Sequence, residues 1–179
     1  MNKIQIALSV VILAAIAGHL IVSPALPLPA GVTKEAVQGA APACQRTALK
    51  IKEGETDAAM GGVRQTPYVL TNAGSSACTL AGYPAVELLN KAGTVIKRAT
   101  KQHSDDPIAP VTLEPGKTAW FSLNYNAGGA GYMGKPCPTY PQVRITTPGA
   151  KTPFTLRSDI QSCSRTDLEV TPIRAGSPE

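Results

Sequence analysis

The chain has 179 residues, with 17 Lys and Arg against 12 Asp and Glu, two His, four Cys and a single Trp. Beyond the amino-terminal segment this length suffices for one domain with a modest core and not for two. The positive excess is mild and scattered, and its densest group, Lys97, Arg98 and Lys101, is followed at once by Asp105 and Asp106; no phosphate-tracking stripe forms, so nucleic acid is not an expected partner.

From the amino end, Ile4 to Val22 (IQIALSVVILAAIAGHLIV) follows the lone basic residue Lys3 and carries no charge, which suits a helix entering a bilayer. Two outcomes are open. Ala15-Ile16-Ala17 before Gly18 fits the small-x-small cleavage site of a signal peptide, whereas the full run, about 28 Å at helical rise, is long enough to remain as an anchor. Either outcome exports the remainder, so the expected location is extracytoplasmic: secreted, periplasmic or tethered to the outer face of the cytoplasmic membrane. The next stretch, PALPLPAGVTKEAVQGAAPA, has almost no large side chains beyond Leu26 and Leu28 and cannot offset the entropy of ordering, so it reads as a linker. The expected layout is an export segment over 1–23, a linker over 24–43, a domain over 44–174 and a flexible tail over 175–179.

Cys44, Cys78, Cys137 and Cys163 all follow the export segment, and an even number in an oxidising compartment implies disulfides. None forms C-x-x-C, and His103 is remote from all four in sequence, so no metal site is expected. Four cysteines permit three pairings; Cys44 with Cys78 and Cys137 with Cys163 is the favoured one, each bridge closing a loop of about thirty residues and contributing roughly 3 to 4 kcal/mol in the chain-entropy model.

From Thr47 onward apolar residues recur with period two. Leu49 and Ile51 alternate with Lys50 and Lys52, and Val143 and Ile145 with Arg144 and Thr146. Further strands are predicted at Arg64 to Asn72, Ala85 to Leu89, Thr94 to Lys97, Pro110 to Leu113, Thr118 to Tyr125, Thr152 to Leu156 and Asp167 to Thr171. Asn90-Lys91-Ala92-Gly93 suits a tight hairpin, and Glu114-Pro115-Gly116-Lys117 a turn in which proline sets φ and glycine takes positive φ. Short strands at this spacing predict an all-β, antiparallel β-sandwich stapled by its disulfides.

Between two of these strands, GGAGYMGKPCP contains G-x-G-x-x-G at Gly129, Gly131 and Gly134. Dinucleotide binding needs a helix after such a loop, and Pro136 and Pro138 stand where it would run. The loop is therefore a connection ending at a disulfide, and no cofactor is expected.

Catalytic candidates are few. His103, in KQHSDDP, is the one histidine beyond the export segment, and a hydrolase assembled from separate loops would have to use it. Set among charged residues before Pro107, and without G-x-S-x-G anywhere, it reads as a surface-loop residue. Asp105 and Asp106, as neighbours, point apart. Glu87 and Glu169 occupy the polar phase of their strands and are expected in solvent.

Trp120 stands out by its phase. Ala119, Phe121, Leu123 and Tyr125 share one face of their strand, and Trp120 shares the other with Thr118, Ser122 and Asn124. If the first face is core, Trp120 points outward, where it could stack on a sugar or anchor a protein partner, with Tyr132 of the glycine loop able to approach. A cover of loop or tail over Trp120 is the competing expectation.

Leu70-Thr71-Asn72, Cys78-Thr79-Leu80-Ala81-Gly82-Tyr83-Pro84, Val111-Thr112-Leu113-Glu114-Pro115-Gly116, Cys137, Cys163 and Val170-Thr171-Pro172, in this order, resemble the bacterial family called domain of unknown function 4232. The resemblance spans roughly Cys44 to Ile173 and implies a secreted or lipid-anchored envelope protein with an immunoglobulin-like sandwich and paired cysteines. It implies no activity. Cys44 follows Ala41-Pro42-Ala43 well past the apolar run, so it is not the acylated cysteine of the lipid-anchored members. The expected role is non-catalytic binding of an envelope protein, peptide or glycan, with membrane contact only through the amino-terminal segment; a hydrolase around His103 and a purely structural spacer are the alternatives.

Overall fold

In the computed structural model, which describes residues 41–128, 136–163 and 168–178, the period-two segments are strands. They run β1 (Leu49–Glu53), β2 (Asp57–Ala58), β3 (Val63–Asn72), β4 (Cys78–Leu80), β5 (Ala85–Leu89), β6 (Val95–Arg98), β7 (Thr100–Lys101), β8 (Val111–Leu113), β9 (Thr118–Asn126), β10 (Thr139–Thr146), β11 (Phe154–Gln161), β12 (Leu168–Val170) and β13 (Arg174–Ala175). Helical structure among the described residues is confined to two three-residue 3-10 turns, Arg46–Ala48 and Met60–Gly62. All of these lie in the unit Gln38–Glu179. The predicted segment Ile4 to Val22 lies outside the described residues; among those described, no helix is long and apolar enough to cross a membrane.

The larger sheet has the order β1-β3-β9-β12-β7, with β2 also on β3 and β13 also on β9. The smaller is β11-β10-β5-β6, and β4 pairs with β8 on its own. Pairing is antiparallel except between β12 and β7 and at the bridge from Ala43 to Thr79. Its spine is the β3–β9 ladder, from Val63 opposite Asn126 to Thr71 opposite Thr118. Pro67 is tolerated in this inner strand because it falls between the stretches paired by β1, which ends opposite Tyr68, and β2, which begins opposite Gln65; its missing N–H leaves no ladder bond unmade. Beyond β13, the Gly176 N–H donates to the Thr118 carbonyl at 2.9 Å, so pairing runs into the segment expected as a tail.

The inner faces meet in one core. Tyr68 and Leu70 of β3 and Phe121 and Leu123 of β9 pack with Val86 and Leu88 of β5, Val143 and Ile145 of β10, and Phe154 and Ile160 of β11. Tyr68 stacks on Phe121 with ring centroids 5.4 Å apart. Burying a side chain of this size contributes roughly 1.5–3 kcal/mol, which is why the apolar phase of each strand decides which way it faces.

Cys44 is bonded to Cys78 and Cys137 to Cys163. The first bridge pins the segment before β1 to β4; the second ties the approach to β10 to the exit from β11. Gly128 sits against the second bridge with φ +89°, where a Cβ would lie 2.8 and 2.9 Å from the two sulfurs, so only glycine fits. Both predicted turns are present: the Gly93 N–H donates to the Asn90 carbonyl and the Lys117 N–H to the Glu114 carbonyl, both at 3.0 Å.

Candidate functional site

The residues singled out for chemistry are not brought together. His103 Nε2 lies 3.0 Å from Asp105 Oδ1, with side chains 87% and 97% exposed, so solvent surrounds the pair and nothing rigid orients it for proton transfer. Among the described residues no group of three or more His, Cys, Asp or Glu is placed to hold a metal. Gly129, Gly131, Gly134 and Tyr132 lie outside the described residues. The first element after that loop is the strand Thr139–Thr146 and not the helix a pyrophosphate would need.

A polar cluster that the sequence reading passed over lies at one open side of the sandwich. Leu49, Ile51 and Glu53 share a phase on β1, so Glu53 is aimed inward at the strand's end. Its carboxylate accepts the Tyr68 hydroxyl at 3.1 Å and the Ser158 hydroxyl at 3.2 Å, joining β1, β3 and β11. Beside it the Thr66 hydroxyl bonds those of Thr56, at 2.8 Å, and Tyr125, at 3.1 Å. Burial of Tyr68, and next the charge of Glu53, push the phenol well above its ordinary value near 10. A cavity of about 640 Å³ opens here, lined by Glu53, Thr56, Tyr125, Arg157 and Ser158 among others. Every hydroxyl in the cluster already has a partner within the protein, so its arrangement fastens the two sheets.

The outer face of the larger sheet is different. Trp120 is half-buried in the phase opposite to Ala119 and Phe121, both fully buried. It stands between Val69 of β3 and Arg174 of β13. A groove of about 540 Å³ runs beside it, lined by Asp57, Gln65, Pro67, Ser122 and Arg174 and, from the tail, by Ser177 and Pro178. The tail thus borders the groove beside the indole, which is itself part-covered. Farther along β9, register aligns Asp57, Gln65, Asn124, Glu169 and Thr100 on five successive strands. Ser122 Oγ and Asn124 Oδ1, both on this outward phase, are buried without a hydrogen-bond partner; the third such atom among the described residues is Thr147 Oγ1. The signal for Ser122 and Asn124 was their shared phase with Trp120; nothing in the sequence marks Asp57, Gln65 or Glu169 as their neighbours.

On the smaller sheet, Glu87 is not in free solvent as its phase implied. Arg98 Nε donates to Glu87 Oε1 at 2.9 Å and Arg144 Nε to Oε2 at 2.7 Å. The two arginines are its register partners on either side, so flanking cations shield the carboxylate.

The segments that carried the family resemblance turn out to be joints. Asn72, fully buried, donates from Nδ2 to the carbonyls of Leu113 and Ser76 and accepts the Gly74 N–H, while its backbone bonds both Gly116 and Lys117 of the proline turn. Gly82 takes φ +87°, and the Tyr83 hydroxyl donates to the Gln102 carbonyl at 2.7 Å. Thr171 Oγ1 accepts the Ser122 N–H at 2.8 Å. Comparison with curated proteins and with solved structures returned no match. A family model does match, described as "Domain of unknown function (DUF4232)", over residues 44–174; these residues include every one of those joints, and the chain belongs to that family.

Proposed function

We propose that this protein is an exported domain of the bacterial cell envelope that binds a partner and does no chemistry, and that it binds through the outer face of the larger sheet around Trp120. Export is supported by the uncharged run Ile4 to Val22 and by two disulfides, which persist where thiols are oxidised. In this reading residues 1–23 direct export or anchor the chain, 24–43 form a spacer and the sandwich from 44 onward does the work. The observation that carries the binding role is a half-buried tryptophan beside a groove of mixed polar and apolar lining, the setting in which aromatic side chains anchor ligands.

Trp120 is the only tryptophan, so its fluorescence reports this face alone. The full-length protein should show acrylamide quenching that falls, and an emission maximum that shifts, when an envelope extract is added. Emission that neither acrylamide nor extract alters would overturn the reading.

A further inference from the structure

We infer that the ligand of this face is a neutral, hydroxyl-rich glycan chain, stacked on Trp120 and held through Gln65, Ser122 and Asn124; the inference rests on the binding role proposed above. Three observations point there. The first is the setting of the indole: its cross-strand neighbours are Val69 and Arg174, and the groove beside it is walled by Asp57, Gln65, Ser122 and Arg174, with Pro67 and Pro178 as its large apolar residues. A peptide anchored by apolar side chains would need pockets beside the ring, whereas a sugar offers a flat C–H face to the indole and hydroxyls to everything around it.

The second is the cross-strand row Asp57, Gln65, Asn124, Glu169 and Thr100. Five strands at about 4.8 Å spacing spread these groups over about 19 Å, and Asn124 lies four residues from Trp120, about 13 Å along β9. A platform of this reach suits a chain of several units. Carboxylates, amides and a hydroxyl together both donate and accept, which is the capacity that hydroxyls read.

The third is the pair of orphaned atoms. Ser122 is 1% exposed, yet its Oγ has no partner, and Asn124 Oδ1 has none either. Buried polar groups are nearly always paired, so each marks hydrogen-bonding capacity that the fold leaves unused. Both belong to the outward phase of β9, Ser122 opposite Pro67 and Asn124 opposite Gln65, which is exposed. Charge narrows the class further. Asp57 and Glu169 stand on the row, while Arg174 lies opposite Trp120 on one side and Lys52 lies beyond Val69 on the other, so neither sign prevails and a polyanion would meet carboxylates.

The test uses the full-length protein and the Trp120 emission. Envelope extract is applied untreated, after periodate oxidation of its glycans, or after protease digestion, and immobilised neutral oligosaccharides (gluco-, manno-, arabino- and N-acetylglucosamine series) are offered beside heparin and a proline-rich peptide. The expected result is that periodate abolishes the response and protease spares it. At least one neutral oligosaccharide should bind, more weakly by tenfold or more in Trp120→Ala and by severalfold in Ser122→Ala. Ser122→Ala should keep the wild-type unfolding midpoint, because its Oγ bonds nothing in the protein. A response abolished by protease alone, binding to heparin or the peptide only, or a glycan affinity unchanged in both variants overturns the glycan assignment while leaving the binding role standing; silence toward every extract removes both.

Discussion

The two outer faces of this sandwich are built on the same alternating pattern and end in opposite states. On the smaller sheet, register sets Glu87 between Arg144 and Arg98, and the three side chains satisfy one another. On the larger sheet, register lines up Asp57, Gln65, Asn124 and Glu169 with no ion pair among them, beside a half-buried indole and two unpartnered buried atoms. Exposure alone does not separate the faces. What separates them is whether each polar group is answered from within the protein, and a face that answers its own groups has little left for a ligand.

The largest expected effect lies between the faces, where Glu53 joins both sheets. Glu53→Ala leaves the buried Tyr68 hydroxyl without its acceptor and should lower unfolding stability by about 1–3 kcal/mol in urea titration, with Glu53→Gln, which keeps an acceptor oxygen, losing less. A loss no greater than that of an ordinary surface substitution would show that the cluster is not a fastening. The same pair has an alkaline signature. The Tyr68 phenol is raised above its ordinary value near 10 by burial and then by Glu53, so above that pH the unfolded chain sheds a proton the folded one keeps, and stability should fall as pH rises. Urea midpoints between pH 9 and 11.5 should decline in the wild type and flatten in Tyr68→Phe. The smallest effect probes the closed face directly: Glu87→Ala should cost about 1 kcal/mol or less, since Arg98 is 73% exposed and solvent screens that half of the triad. That loss should shrink in high salt; a salt-independent loss would mean that packing, and not charge, closes this face.

Much of the fold was legible because burial acts on alternation. Leu49 with Ile51, and Val143 with Ile145, face inward as their phase demands, and the turns at Asn90 to Gly93 and Glu114 to Lys117 follow from Asn, Pro and Gly. The two-residue strands Asp57–Ala58, Thr100–Lys101 and Arg174–Ala175 escaped because a period cannot be read from so few positions. Cys78–Leu80 escaped as well, although it bears half of a disulfide. Glu53 carries a readable signal, a carboxylate in the apolar phase of β1.

By itself the amino-acid sequence determined the all-β class, the faces of the long strands and the outward aim of Trp120, since each rests on side chains a few residues apart on one strand. Only the tertiary structure decided which residues stand beside that tryptophan. Val69 and Arg174 are its neighbours because β3 and β13 both pair with β9, and strand order and register are settled by how the whole core closes, which no local pattern records.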